Sequence, residues 1–95
     1  MLSENQIQTI IEVLKPYNPM RIGLFGSYAR NEESSDSDID ILYTFYNPLT
    51  LFKVVKIQNE LEEKLQRSVD FVSEKAVHPM LRESIYNDLK IIYGN

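Results

Sequence analysis

Three aspartates and one glycine–serine step carry the residue types from which this 95-residue sequence could build chemistry. Asp38 and Asp40 stand two positions apart at the entrance to the run Ile39-Asp40-Ile41-Leu42-Tyr43-Thr44-Phe45. In extended backbone, alternate side chains share a face, so the two carboxylates would lie roughly 6.7 Å apart at the backbone. At an effective dielectric of 20 they would repel by about 2.5 kcal/mol. A divalent cation between them reverses that sign, and carboxylates with open water positions suit Mg²⁺ completed by phosphate oxygens. Asp70, between Val69 and Phe71, is the candidate third carboxylate if its strand lies beside the 39–45 strand. Three such groups would allow two metals about 3.5–4 Å apart. Gly26-Ser27 follows an apolar run and precedes a helical turn, where free N–H groups and an absent side chain let a phosphate approach. Arg30 is near enough to contact that phosphate or to pair with the acidic loop after it. A phosphate cradle at the end of one strand and a metal pair at the start of the next are two halves of a nucleoside-triphosphate site.

Rival motifs fail on the same residues. Asp36-Ser37-Asp38-Ile39-Asp40 opens like a calcium loop, but Ile41 stands where glycine is needed and Asn47 where glutamate is needed. Gly26-Ser27 lacks the lysine of a P-loop. With one histidine and no cysteine, neither a zinc ligand set nor a cysteine nucleophile is available. His78, before Pro79, reads as a helix-entry or surface residue.

Positioning these groups requires particular elements. Ser3 and Gln6 form a capping box ahead of Ile7, Ile10, Ile11 and Leu14, one apolar helical face. Pro16 and Pro19 end that helix. Arg21-Ile22-Gly23-Leu24-Phe25 reads as a buried strand, 39–45 as a second, and Val69-Asp70-Phe71-Val72 as a third. Leu51, Val54, Val55, Ile57, Leu61 and Leu65 predict a long helix with Glu60, Glu62, Glu63 and Lys64 on its wet side. A last helix opens at His78-Pro79 with Leu81 and Ile85 as its apolar pair, and Leu89 to Tyr93 either continues it or forms a fourth strand. Leu49, Phe52, Met80 and Tyr86 are assigned to the core, with an interface as the alternative. The fold class is α/β of the α+β kind, a small mixed sheet of three to four strands flanked by helices. The alternation is too irregular for a doubly wound parallel sheet.

Composition sets the frame. The net charge of −4 comes from 10 basic and 14 acidic residues, with 43% hydrophobic and 25% charged residues, ordinary for a globular chain. The length admits one domain over 1–95, with a small core. Residues 31–40 hold Glu32, Glu33, Asp36, Asp38 and Asp40 and no Lys or Arg, and so account for the whole net charge. The absence of cysteine, of a signal-peptide pattern and of any run of roughly 20 apolar residues points to the cytoplasm, with no membrane partner. The acidic balance argues against a stable nucleic-acid partner.

Gly26-Ser27-Tyr28-Ala29-Arg30 followed by Ser37-Asp38-Ile39-Asp40, with 11 positions from Ser27 to Asp38, resembles the signature of the DNA polymerase β-like nucleotidyltransferase superfamily. The size and Val69-Asp70-Phe71-Val72 resemble its minimal members, the MNT-domain proteins. The resemblance implies a mixed sheet flanked by helices and Mg²⁺-dependent transfer of a nucleoside monophosphate, with ATP the usual donor and two ions bound. It also implies an antitoxin paired with an all-helical HEPN toxin, to whose tyrosine AMP is attached. Carried over by position, Gly26 and Ser27 would hold the triphosphate, with Arg30 at a motif position. Asp38 and Asp40 would bind both metals, and Asp70 would complete the second site and help activate the acceptor hydroxyl. Asn31 stands where the family often has glycine, and asparagine tolerates the left-handed turn needed there.

A chain of this length is expected to present an open site, with the acceptor delivered by a partner and a hetero-oligomer as the working form. The alternatives are an antitoxin that neutralises by binding without catalysis, and a small-molecule nucleotidyltransferase.

Overall fold

A computed structural model describes residues 2–94 of the chain. Helix α1, Glu4–Leu14, starts where the capping box places it: Ser3 Oγ accepts from the Gln6 N–H and the Gln6 side chain accepts from the Ser3 N–H. A 3₁₀ turn, Lys15–Tyr17, contains Pro16, and Asn18 in the left-handed region leads into strand β1, Pro19–Phe25. Pro19 therefore opens a strand as well as following a helix, and a register shift between Pro19 and Arg21 accommodates it. The short helix α2, Gly26–Ala29, precedes the acidic loop, and strand β2 occupies Ile39–Phe45. Helix α3, Leu51–Leu65, starts at Thr50, whose hydroxyl accepts from the Lys53 N–H. Strand β3 is Val69–Ser73, and a 3₁₀ turn covers Glu74–Ala76. Helix α4, Pro79–Asp88, is capped by the His78 ring, whose Nδ1 accepts from the Met80 N–H at 3.1 Å. Strand β4, Lys90–Gly94, resolves the open choice for the last apolar run in favour of a strand.

The sheet has the order β3-β2-β1-β4, with β2 parallel to β3 and the other two pairs antiparallel. A parallel neighbour needs a crossover, and α3 supplies it between β2 and β3. Strand alternation then divides the sheet. Ile22, Leu24, Ile39, Ile41, Phe45, Val69 and Phe71 share one core with Ile10, Val13 and Leu14 of α1 and Ile57, Leu61 and Leu65 of α3. Tyr43 stacks on Phe71 at a centroid distance of 4.1 Å on that side. The opposite face carries Asp40, Leu42 and Thr44 from β2 and their cross-strand partners Phe25, Gly23 and Arg21 from β1.

Several apolar assignments are corrected. The packing face of α3 is narrower than expected: Leu51 and Val55 lie off its shoulder and are exposed. Phe52 is 81% exposed, Met80 84%, and Tyr86 is also exposed, so these three are not core residues, whereas Leu49 does pack against the core. Leu81 is exposed, and α4 contains no buried residue at all. Its Tyr86 and Asp88 side chains make polar contacts with Glu74 and Arg30, which hydrophobic spacing does not reveal. Glu62 also departs from its expected wet side. Val69 sits on an edge strand, and its backbone is satisfied by α3: the N–H donates to Glu62 Oε2 at 2.8 Å and the carbonyl accepts from Gln58 Nε2 at 3.0 Å.

Candidate functional site

The site grows out of strand ends. Register pairs Asp40 directly with Asp70 across the parallel β2–β3 ladder and with Phe25 across the antiparallel β1–β2 ladder. Because Val69 and Phe71 are drawn into the core, Asp70 must face the other way, beside Asp40. The side-by-side placement that the sequence left conditional is thus realised. Asp38 lies just before β2, exposed, and close enough for its charge to act on Asp40.

The turn after β1 completes the arrangement. Gly26 adopts φ +74°, and a side-chain carbon there would stand 2.0 Å from Asp40 Oδ2. Both the backbone angle and the space require glycine. Tyr28 and Ala29 are buried and anchor α2, leaving Gly26 and Ser27 half-buried at its start. Asn31 has φ +60°, the left-handed conformation expected of asparagine at this position. The Glu32 N–H closes the turn on the Ser27 carbonyl at 2.9 Å. Further along the loop, the Ser37 N–H donates to the Ser34 carbonyl, and Arg67 Nη1 donates to the Ser35 carbonyl, tying the loop to the end of α3.

The electrostatics follow from this crowding. Burial first, then the charges of Asp70 and Asp38, with Arg30 opposing them, push the Asp40 carboxyl up to about 6. Arg30 pairs with the acidic loop, as one of its two expected roles: Nε donates to Glu32 Oε1 at 2.8 Å. A second contact, Nη1 to Asp88 Oδ2 at 2.6 Å, comes from α4. Asp88 was not legible as a site neighbour, because 58 positions separate it from Arg30. Glu74 was missed for the same reason. It sits at the far end of the same sheet face and accepts from Thr44 Oγ1 at 2.8 Å, from Tyr86 at 2.6 Å and from the Arg21 guanidinium. Burial raises its pKa, but the hydrogen bonds from Arg21, Tyr86 and Thr44 together outweigh that and hold it below the usual glutamate value.

Among the described residues, no three His, Cys, Asp or Glu side chains form a ready metal cage. Mg²⁺ does not ask for one: it is commonly held by one or two carboxylates, with water and substrate phosphates supplying the rest. Burial does most to lift Asp40; the repulsion from Asp70 and Asp38 that adds to it is what a cation would relieve, and the donors are hard oxygens. The carboxylate set therefore fits Mg²⁺ arriving with a phosphorylated ligand. No described helix is long and apolar enough to cross a membrane.

Comparison with known proteins gives the family. Protein adenylyltransferase MntA of Thermococcus cleftensis is 33% identical over 96 residues, spanning 90% of this chain and 97% of its own. A candidate protein adenylyltransferase of Methanocaldococcus jannaschii, MJ0126, is 40% identical over 79 residues, spanning 82% and 81% of the two chains. The crystal structure of a toxin–antitoxin complex with AMP-PNP superposes with a TM-score of 0.84 at 27% identity, across 99% of this chain and 75% of its counterpart. Residues 8–95 match the family described as Polymerase beta, Nucleotidyltransferase. That match runs through both carboxylate-bearing strands and the Gly26-Ser27 turn, and the chain belongs to the polymerase beta nucleotidyltransferase family.

Proposed function

We propose that residues 1–95 form a single minimal nucleotidyltransferase unit, a cytoplasmic antitoxin that transfers AMP from ATP to a tyrosine hydroxyl of a HEPN-type toxin. The observation that carries this reading is the direct pairing of Asp40 with Asp70, with Gly26 seated against the Asp40 carboxylate. The MntA relative bears the name of a protein adenylyltransferase, and the 27%-identical neighbour is a toxin–antitoxin complex holding an ATP analogue. Both support the donor and the class of acceptor.

In this mechanism Gly26 lets the triphosphate lie against the backbone, and Ser27 donates its hydroxyl to a phosphate oxygen. Arg30 contributes positive charge beside the same turn. Asp38, Asp40 and Asp70 would hold Mg²⁺, which supplies charge neutralisation at the phosphates and lowers the pKa of an oxygen bound to it. The phenolic oxygen attacks the α-phosphorus, a new O–P bond forms, the bond to the β-phosphate bridging oxygen breaks, and pyrophosphate leaves. Asp70, the more exposed member of the Asp40–Asp70 pair, takes the phenolic proton. The open edge of the sheet at β3 leaves room for an acceptor presented by another protein.

Intact-mass measurement of a co-expressed HEPN-type partner tests the reading. Wild-type chain should add one or more AMP masses, and Asp38→Asn or Asp40→Asn should abolish the addition while the fold survives. A stable but unmodified complex would favour neutralisation by binding. Near-normal transfer by either variant would remove the carboxylate mechanism.

A further inference from the structure

Helix α4 has no buried residue, yet it is moored at two points near its C-terminal end. The Tyr86 hydroxyl donates to Glu74 at 2.6 Å, and Asp88 accepts from Arg30 at 2.6 Å. The two moorings are chemically unlike. Tyr86 reaches the far end of the sheet face, whereas Asp88 reaches the only arginine in the Gly26–Arg30 segment. Arg30 closes the short helix α2, its N–H donating to the Gly26 carbonyl at 3.1 Å, so the guanidinium starts from the backbone of the Gly26-Ser27 turn. Its charge is felt by Asp40.

Two carboxylates grip that guanidinium on different nitrogens, Glu32 at Nε and Asp88 at Nη1. They are not equal. The Glu32 side chain is 66% exposed and two residues away, while Asp88 is 17% exposed and arrives from a separate element. A short charge-assisted bond to a largely covered carboxylate restricts an arginine more than one to an exposed carboxylate. Nη2, with two N–H donors, has no acceptor among the described residues.

We propose that Asp88 is a positioning residue for nucleotide binding: it fixes the Arg30 guanidinium beside the Gly26-Ser27 turn so that Nη2 is presented to the triphosphate. The ordering cost of a long side chain is then met before the nucleotide arrives, which strengthens binding without any contact between Asp88 and the ligand. This inference rests on the nucleotidyltransferase reading and goes beyond it by tying α4 to the affinity for the donor.

The test measures AMP transfer at varied ATP, together with equilibrium binding of AMP-PNP, for the wild type, Asp88→Asn, Asp88→Glu, Arg30→Ala, the Asp88→Asn/Arg30→Ala double variant and Tyr86→Phe. Asp88→Asn should raise the KM for ATP and the Kd for AMP-PNP by about three- to tenfold, the weight of one partly exposed charge-assisted hydrogen bond, with kcat little changed. Asp88→Glu should recover part of the loss, and the double variant should be no weaker than Arg30→Ala alone. Tyr86→Phe loosens the other mooring of α4 and should leave both nucleotide constants unchanged. Equal losses in Asp88→Asn and Tyr86→Phe would overturn the proposal in favour of a structural role. Additive losses in the double variant, or tighter binding by Asp88→Asn, would overturn it as well. A wild-type chain that neither binds AMP-PNP nor transfers AMP would overturn the underlying nucleotidyltransferase reading and this inference with it.

Discussion

Replacing Asp40 by asparagine should make the metal-free protein more stable at neutral pH while removing its activity. The folded-state pKa of Asp40 lies at about 6, against 3.8 for the unperturbed group, because of burial first and the charges of Asp70 and Asp38 next. Ionising this carboxyl therefore costs the folded chain more than the unfolded one. The cost is absent below the unfolded value, grows as pH rises, and is complete above the folded value. A shift of that size corresponds to an upper bound of about 3 kcal/mol. Asp40 is only half-buried, so solvent screening reduces this to about 1–2 kcal/mol. Asparagine has nearly the same shape and no charge. In a chelator, Asp40→Asn should thus raise Tm by about 5–10 °C at pH 7.5, and the two melting curves should converge near pH 4. Asp70→Asn, which removes the neighbouring charge that acts more strongly on Asp40, should raise the wild-type Tm by a smaller amount in the same direction. Thermal melts from pH 4 to 8, followed by circular dichroism, decide it. An Asp40→Asn protein no more stable than wild type at pH 7.5, or a difference that does not change with pH, would refute the placement of the three carboxylates.

Gly26→Ala should cost about 1–2 kcal/mol in urea unfolding, because φ +74° is strained for any residue with a side-chain carbon. Its effect on AMP transfer should be much larger, on the order of 100-fold, since that carbon displaces the Asp40 carboxylate. Glu74→Gln should destabilise the chain by about 2 kcal/mol in the same assay at pH 7, because three donors lose a charged acceptor. The folded pKa of Glu74 is depressed, so its stabilisation is present above the unfolded glutamate value and is lost as pH falls through the folded one; the deficit of Glu74→Gln should shrink in acid. Ser3→Ala, which breaks the capping box, should cost about 1 kcal/mol by chemical denaturation.

What the residues disclosed in advance depended on how local the cause was. The 39–45 strand was legible to its ends because its β-branched and aromatic character and the flanking loop both act within a few residues. The Ser3 cap, the helix entry at His78 and the left-handed Asn31 were legible for the same reason. Asp70 could be nominated but not placed, since its partnership with Asp40 depends on which strand lies beside which. The moorings of α4 were not legible at all. Arg30 with Asp88, and Glu74 with Tyr86, are pairs set by tertiary approach, across 58 and 12 positions. Phe52 and Met80 were misread because an apolar residue on a helix announces its hydrophobicity and not whether anything covers it.

The parallel pairing of β2 with β3 has a consequence for how errors in assembly are rejected. A slip of one residue between these strands would turn Asp70 inward and Val69 and Phe71 outward. It would strand a carboxylate among aliphatic side chains and expose two large apolar groups, each worth about 1.5–3 kcal/mol when buried. For a domain this small, such a penalty consumes a large share of the total stability. A misregistered chain is therefore a poorly folded chain, open to aggregation or degradation, and not a well-folded decoy with a broken centre. The apolar residues on either side of Asp70 thus tie the placement of the carboxylate they flank to the folding of the core.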